Sequence, residues 1–211
     1  MINRGMFISL EGVEGCGKST QAELLGEYAR KIGCPVVLTH EPGGTPIAEK
    51  VREILLEPQY TEMTDVTELM LYLASRAQHV RQLILPALTE GKVVICQRFS
   101  DATFAYQGYG RGFDLDFLEQ VNRIATDGLE PDLTLVLDLD VEEGFFRKRG
   151  DRWDRLENER IDFHNKVRDG YLDIARRSPK RVKVIDAKGS VEEVHLRIRQ
   201  CLDQQLARYI A

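Results

Sequence analysis

Five short runs of apolar residues recur along the chain, and the stretches between them carry apolar positions at helical spacing. The runs are 6–10 (Met-Phe-Ile-Ser-Leu), 36–39 (Val-Val-Leu-Thr), 93–96 (Val-Val-Ile-Cys), 133–139 (Leu-Thr-Leu-Val-Leu-Asp-Leu) and 182–186 (Val-Lys-Val-Ile-Asp). They are continuous more than alternating, which is the pattern of strands covered on both faces. Between the first two, the spacing of Ala22, Leu25, Tyr28, Ala29 and Ile32 predicts a helix over 18–32. Thr45-Pro46 supplies a capping hydroxyl followed by a first-turn proline, so a helix begins there. Asp65 and Glu68 stand in capping-box register ahead of a long helix over 66–85. Further helices are predicted at 114–127, 142–149, 157–177 and 190–209, while Ala102–Gly112 reads as turn-rich. Gly33, Gly91 and Gly128 each fall just past a helix end, where a left-handed residue is wanted.

Alternating strands and helices imply an α/β fold: a five-stranded parallel sheet with right-handed crossovers and helices on both faces, three layers in all. In such sheets ligands bind beyond the carboxyl ends of the strands. The segments least suited to packing are Glu14–Ser19, Glu41–Thr45, Gln97–Arg98 and the 186–189 turn. All follow predicted strand ends, so the topology gathers them at one edge.

The 211 residues allow one substantial domain, 1–211, with no linker or repeat. Hydrophobic residues at 43% suffice for a sizeable core. A net charge of −5 gives no electrostatic footprint for nucleic acid. No apolar run approaches a membrane span, and Met1–Gly5 lacks the apolar core of a signal peptide. Cys16, Cys34, Cys96 and Cys201 form no paired or zinc-like spacing, and Cys34 and Cys96 border strands as buried thiols, which suits a reducing cytoplasm. His40, His79, His164 and His195 are scattered without metal spacing and read as surface or helix residues.

One motif carries chemistry by itself. Gly12-Val13-Glu14-Gly15-Cys16-Gly17-Lys18-Ser19 fits the phosphate-loop pattern at every fixed position and stands between a strand and a helix. Its glycines let successive N–H groups turn toward phosphate oxygens, and the helix start adds the positive end of a dipole. In such a loop Lys18 reaches the β- and γ-phosphates, and Ser19 holds Mg²⁺.

Other constellations are ambiguous taken singly. Glu41-Pro42-Gly43-Gly44-Thr45 is either a site loop with an acid or a turn before a capped helix. Arg98 after the third strand is a phosphate grip or a paired surface arginine. Tyr72 and Arg76 share a helix face, where stacking on a base competes with plain packing, the readier reading of the pair alone. Thr103, Tyr106 and Gln107 lie in the turn-rich stretch, and Gln107 can offer a donor and an acceptor to a base edge. The run 147–157 (Arg-Lys-Arg-Gly-Asp-Arg-Trp-Asp-Arg-Leu-Glu) is a solvated loop or a cationic lid over a transferring phosphoryl group.

Together these motifs resemble the thymidylate kinases of bacterial type, over nearly the whole chain from Phe7 to about Ala187. The matching pieces are Glu11–Ser19, Glu41–Thr45, Arg98-Phe99, Ala105-Tyr106-Gln107-Gly108, Pro131–Thr134 and Asp154–Glu157. The resemblance implies a P-loop nucleoside monophosphate kinase fold with a lid near 147–157, ATP and dTMP as substrates, Mg²⁺ as cofactor and a homodimer. It implies Lys18, Arg98 and Arg155 as catalytic residues, with Arg155 the lid arginine acting on ATP, since Cys16 puts no arginine in the loop. ATP would lie against Gly12–Ser19, Thr20, Arg155, Ala187 and Lys188. The acceptor would lie among Glu14, Glu41, Pro42, Arg52, Tyr72, Arg76, Arg98, Thr103, Tyr106 and Gln107, with Tyr72 stacked on the base and Tyr106 disfavouring a ribose 2′-hydroxyl. Ser19 and Glu157 would serve the metal. Three positions depart from the family pattern: Gln97 stands where an aspartate is usual, His40 replaces an arginine, and Trp153 replaces a smaller residue. Two alternatives stay open here: a kinase of another nucleoside monophosphate, or a weakly active nucleotide-binding homologue because of Gln97.

Overall fold

The computed structural model describes residues 5–150 and 153–210. Asp151 and Arg152 of the charged run, and Met1–Arg4, lie outside the described residues. The five apolar runs form one parallel sheet: β1 (Phe7–Glu11), β2 (Val36–His40), β3 (Val93–Gln97), β4 (Leu133–Asp138) and β5 (Val182–Asp186), in the order β2-β3-β1-β4-β5. β1 is central and buried along its whole length, as its unbroken apolar run predicts. Registers such as Phe7 beside Val94 and Ile8 beside Leu133 bring the carboxyl ends of β1, β3 and β4 to one edge.

The helices are α1 (Lys18–Lys31), α2 (Pro46–Leu56), α3 (Asp65–His79), α4 (Leu85–Thr89), α5 (Ser100–Thr103), α6 (Leu115–Thr126), α7 (Val141–Arg147), α8 (Ile161–Arg177) and α9 (Val191–Ile210). On one face, Ala22 and Leu25 of α1 and Ile198 and Leu202 of α9 pack on Ile8, Leu10 and Ile95. On the other, Val80, Ile84 and Leu88 close over Phe7 and Val94, and Val167 and Tyr171 of α8 cover Val136 and Val182. Three layers therefore form as the pattern requires. Gly33, Gly91 and Gly128 have φ of 89°, 76° and 74°, the left-handed conformation expected of them.

Four expectations need correction. The long helix is capped by Thr64, whose hydroxyl accepts from Thr67 N–H; Asp65 is its first helical residue, and Glu68 turns inward to ionic partners instead of back to the cap. That helix also widens into a π turn over Val80–Ile84, where Leu85 N–H donates to the carbonyl of Val80, just before Pro86, which has no N–H to give. The stretch 102–112 is mostly helical: α5 runs into a second π turn, Phe104–Gly110. Its glycines are packing glycines, for a Cβ at Gly110 would meet the Phe163 ring at 2.6 Å. His79 and His164 are helix residues, on α3 and α8, and both are buried. Cys96 is buried as expected, whereas Cys34 is half-buried.

Candidate active site

The phosphate loop leaves the end of β1 at Gly12, φ 134°. A Cβ there would meet the Leu137 carbonyl at 2.5 Å, and one at Gly15 would meet the Gly144 carbonyl at 2.1 Å. Glycine is thus required both for conformation and for close approach. Lys18 curls over the loop and donates from Nζ to the carbonyls of Gly12 (3.1 Å) and Val13 (2.8 Å). Cys16 is buried beneath it. Ser19, in the first turn of α1, donates from Oγ to Oε1 of Gln97 at 2.8 Å, so the two neutral side chains expected near a metal meet each other.

β3 delivers Gln97 and then Arg98, a non-glycine residue at φ 67°. Arg98 Nη1 donates to Gly12 O (3.1 Å) and to the Tyr171 hydroxyl (3.2 Å), Nη2 pairs closely with Glu14, and the guanidinium lies 5.0 Å from the centre of the Tyr106 ring. Burial alone would raise the Glu14 carboxyl, but Arg98, Lys18 and Lys148 outweigh it and hold it at about 2. Beneath them Glu11 accepts from Phe99 N–H (2.7 Å) and from Tyr171 Oη (2.9 Å). Burial, with the charge of Asp101 nearby, lifts Glu11 to about 8.

That shift has a stability consequence. Between its ordinary value of 4.5 and about 8, Glu11 holds a proton in the folded state that the unfolded chain releases, so it weakens the fold as pH rises through this window. Glu11→Gln mimics the protonated form. Its melting temperature should equal or trail wild type at pH 5 and exceed it at pH 8.5; a difference independent of pH would contradict the assignment.

The E-P-G-G-T loop follows β2. Glu41 is buried and accepts from Arg76 Nε (2.7 Å); its other oxygen meets His79 Nδ1 at 3.0 Å. Burial opposes its charge, yet Arg76 and His79 keep it below the ordinary carboxylate value. Arg76 is 2% exposed. Its guanidinium also donates to Thr103 Oγ1 and Asn122 Oδ1 (each 2.6 Å) and to the Phe99 carbonyl (2.9 Å). Among the described residues four of its five N–H groups are therefore engaged. Removing one partner from such a buried pair typically costs about 3–5 kcal/mol, so Arg76 is a structural residue as well as a site residue. Arg52 Nη1 donates to the Pro42 carbonyl at 2.8 Å. His40 pairs with Glu49 at 2.9 Å.

All these elements enclose one cavity of about 440 Å³. Its lining brings together Glu14, Lys18, Ser19, Gln97, Arg98 and Lys148 with Glu41, Pro42, Arg52, Tyr72, Arg76, Thr103, Tyr106 and Gln107. Burial, reinforced by the charges of Glu68 and Asp154, pushes the Tyr72 phenol far up, so its ring is neutral. Of the four segments expected to converge at the strand ends, Glu14–Ser19, Glu41–Thr45 and Gln97–Arg98 each contribute to this lining, and the 186–189 turn does not.

Of the charged run, Lys148, Asp154, Leu156 and Glu157 line the cavity. Arg155 does not line the cavity. Its Nη2 donates to buried Glu68 (2.7 Å), its Nε to the Leu55 carbonyl (3.0 Å) and its backbone N–H to the Leu56 carbonyl (3.3 Å). A desolvated carboxylate and a helix C-terminus hold this cation more firmly than water would, so it is docked on the α2–α3 side. Lys148 faces the cavity, paired closely with Glu157, which also lines it and accepts from Asp154 N–H at 3.2 Å. Glu157 is thereby committed to a turn and an ion pair. Trp153 stacks obliquely on Phe145, 4.9 Å between ring centres. At the far turn Ala187 is buried and its carbonyl receives Arg147, while exposed Lys188 pairs with Asp140 at 2.7 Å. Glu11, Glu68, Lys148 and Tyr171 were not singled out as site residues in the sequence. Glu11 opens the phosphate-loop piece, Lys148 belongs to the cationic run, and Glu68 is an acid on the same helix face as Tyr72 (i, i+4), for which capping was the simpler explanation; Tyr171 left no signal.

Residues 10–198 match the family model described as Thymidylate kinase. The chain is 52% identical over 209 residues to the thymidylate kinase of Pelotomaculum thermopropionicum, covering 98% of this chain and 97% of that one. It is 50% identical over 203 residues to that of Symbiobacterium thermophilum, covering 96% and 95%. Among solved structures, the crystal structure of thymidylate kinase from Ehrlichia chaffeensis superposes with a TM-score of 0.79 at 38% identity, covering 95% of this chain and 99% of that one.

Proposed function

The chain belongs to the thymidylate kinase family, and from that premise we propose that it transfers the γ-phosphoryl group of ATP to dTMP, giving dTDP and ADP, within the single cavity described above. The observation that carries this reading is the cavity's mixed lining: the phosphate-loop lysine shares one cavity with Arg98 and with Tyr72, Arg76 and Gln107. Loop N–H groups and Lys18 hold the β- and γ-phosphates, Lys18 exchanging its contacts to Gly12 and Val13 for phosphate oxygens. Arg98, with Arg52 beside it, holds the acceptor phosphate. An acceptor oxygen attacks the γ-phosphorus, the bond to the bridging oxygen breaks, and ADP departs. Tyr72 stacks on the base, the fifth N–H of Arg76 meets its edge, and Tyr106 stands against a 2′-hydroxyl. Glu14 orients Arg98 and approaches the deoxyribose. Ala187 and Lys188 flank the adenine. An ADP-release assay with dTMP, ATP and Mg²⁺ tests the reading; no turnover at high enzyme concentration contradicts it.

Mg²⁺ fits this donor set. Ser19 Oγ and Gln97 Oε1 are neutral hard oxygens, and among the described residues no cluster of three or more acidic, His or Cys side chains could cage an ion. That suits a cation brought in chiefly by phosphates and water. When bound, Mg²⁺ neutralises charge on the phosphates. Gln97 weakens that arrangement, because it accepts from Ser19 without supplying negative charge. Gln97→Asp should raise turnover or lower the Mg²⁺ concentration giving half-maximal rate; an unchanged Mg²⁺ dependence contradicts this role for Gln97.

A homodimer is supported by apolar side chains exposed on neighbouring helices: Ile47 and Ile54 on α2, Val66 and Met70 on α3, Phe117 and Ile124 on α6. Sedimentation of the purified chain reads this directly. Among the described residues no helix is long and apolar enough to cross a membrane; a cytoplasmic location accords with the four free thiols.

A further inference from the structure

Glu68 is 1% exposed and saturated with donors from two separate segments, Gln107 and Arg111 of one helical stretch and Arg155 of the charged run. Its Oε1 accepts from Gln107 Nε2 (3.0 Å) and Arg111 Nε (3.3 Å). Its Oε2 accepts from Arg111 Nη2 (3.0 Å) and Arg155 Nη2 (2.7 Å). Gln107 lines the cavity, whereas Arg155 belongs to the charged segment that follows α7. One buried carboxylate therefore touches both.

The chemistry of that carboxylate fixes an orientation. An ionised carboxylate only accepts hydrogen bonds, so the amide nitrogen of Gln107 must face it, and the amide oxygen of this cavity-lining residue is the group left to accept from a ligand. Burial opposes the charge on Glu68, but Arg111, Gln107 and Arg155 outweigh it and keep the group ionised. Such a carbonyl oxygen accepts from a pyrimidine whose ring N3 carries hydrogen, as in thymine. It meets lone pair to lone pair with cytosine, whose N3 is an acceptor.

We propose that Glu68 is a positioning residue that couples discrimination of the acceptor's base to docking of the 153–157 segment, by orienting Gln107 with one oxygen and anchoring Arg155 with the other. The coupling is reciprocal. A thymine held by Gln107 fixes the carboxylate in the place where Arg155 docks, and a docked Arg155 keeps that carboxylate charged and still for Gln107. The inference rests on the dTMP kinase reading above. It also assigns Arg155 a function in acceptor recognition.

The chain's single tryptophan, Trp153, lies two residues from Arg155 against Phe145 and reports the segment. The test uses Glu68→Gln, Arg155→Ala and the double variant, with two readouts: the ratio of kcat/KM for dTMP over dCMP, and the change in tryptophan fluorescence when dTMP is added without ATP. In wild type dTMP should change the fluorescence and dCMP should not. Arg155→Ala, which removes no atom from the base pocket, should lower the dTMP/dCMP ratio at least about fivefold. Glu68→Gln should lower it as much or more and abolish the fluorescence response, and the double variant should be no worse than Glu68→Gln alone. If Arg155 acted only on ATP, its removal would slow both acceptors equally and leave the ratio unchanged, which would overturn the proposal. Additive losses in the double variant would overturn it too. Should Glu68→Gln fail to fold, the ratio for Arg155→Ala still decides. Failure of wild type to phosphorylate dTMP would instead overturn the underlying reading.

Discussion

Replacing Lys18 with Met is expected to lower kcat by about 10³-fold or more, while dTMP binding measured by calorimetry stays within about twofold of wild type. Phosphoryl transfer is catalysed by positioning and charge neutralisation, and Lys18 is the cation built into the loop itself. Its ammonium is mostly desolvated and already 2.8–3.1 Å from two loop carbonyls, so it needs only exchange one set of oxygens for another. The acceptor is held by other residues and should not notice the change. A kcat within tenfold of wild type would mean that the loop does not carry the donor.

The second large effect is expected at Arg98. Arg98→Ala should cost about 10²–10³-fold in kcat/KM for dTMP, and Arg98→Lys should recover little of it. The guanidinium reaches Gly12 O, the Tyr171 hydroxyl and Glu14 at once, a spread that one ammonium cannot match. The substitution also strands Glu14. With Arg98 present its carboxyl sits at about 2, so it contributes no acid limb to activity above pH 4. Without Arg98 the largest influence left on it is burial, which raises it. The residual activity of Arg98→Ala should therefore acquire an acid limb in or above the ordinary carboxylate range. A pH profile shaped like wild type would show that Arg98 is not the partner that sets Glu14.

The order of strands and helices and the phosphate loop were legible in the sequence because each rests on a local rule. A continuous apolar run has few alternatives to a buried parallel strand, and G-x-x-x-x-G-K-S has one geometry between a strand and a helix. What escaped was decided by distant neighbours. Gly108 and Gly110 read as turn signals, but they serve close packing on Leu115 and Phe163 within a helical stretch. Glu68 read as a capping acid because its real partners, Arg111 and Arg155, lie 43 and 87 residues away. Arg76 was placed on the correct face beside Tyr72, yet its anchoring by Glu41, Thr103 and Asn122 depends on three other segments. The charged run stayed open between a solvated loop and a lid because charge density says nothing about which buried acid captures which arginine. Here Glu68 takes Arg155, and Lys148 is left facing the cavity.

The central claim is that one cavity both reads a thymine and holds a triphosphate. It is tested most directly by measuring kcat/KM for dTMP, dUMP, dGMP and dCMP side by side with ATP and Mg²⁺. The account predicts that dTMP leads, with dUMP next because it keeps the N3 hydrogen, and that dGMP and dCMP trail by orders of magnitude, since they would leave buried polar groups of the pocket unpaired. A purine or cytidine monophosphate turning over as well as dTMP would contradict it.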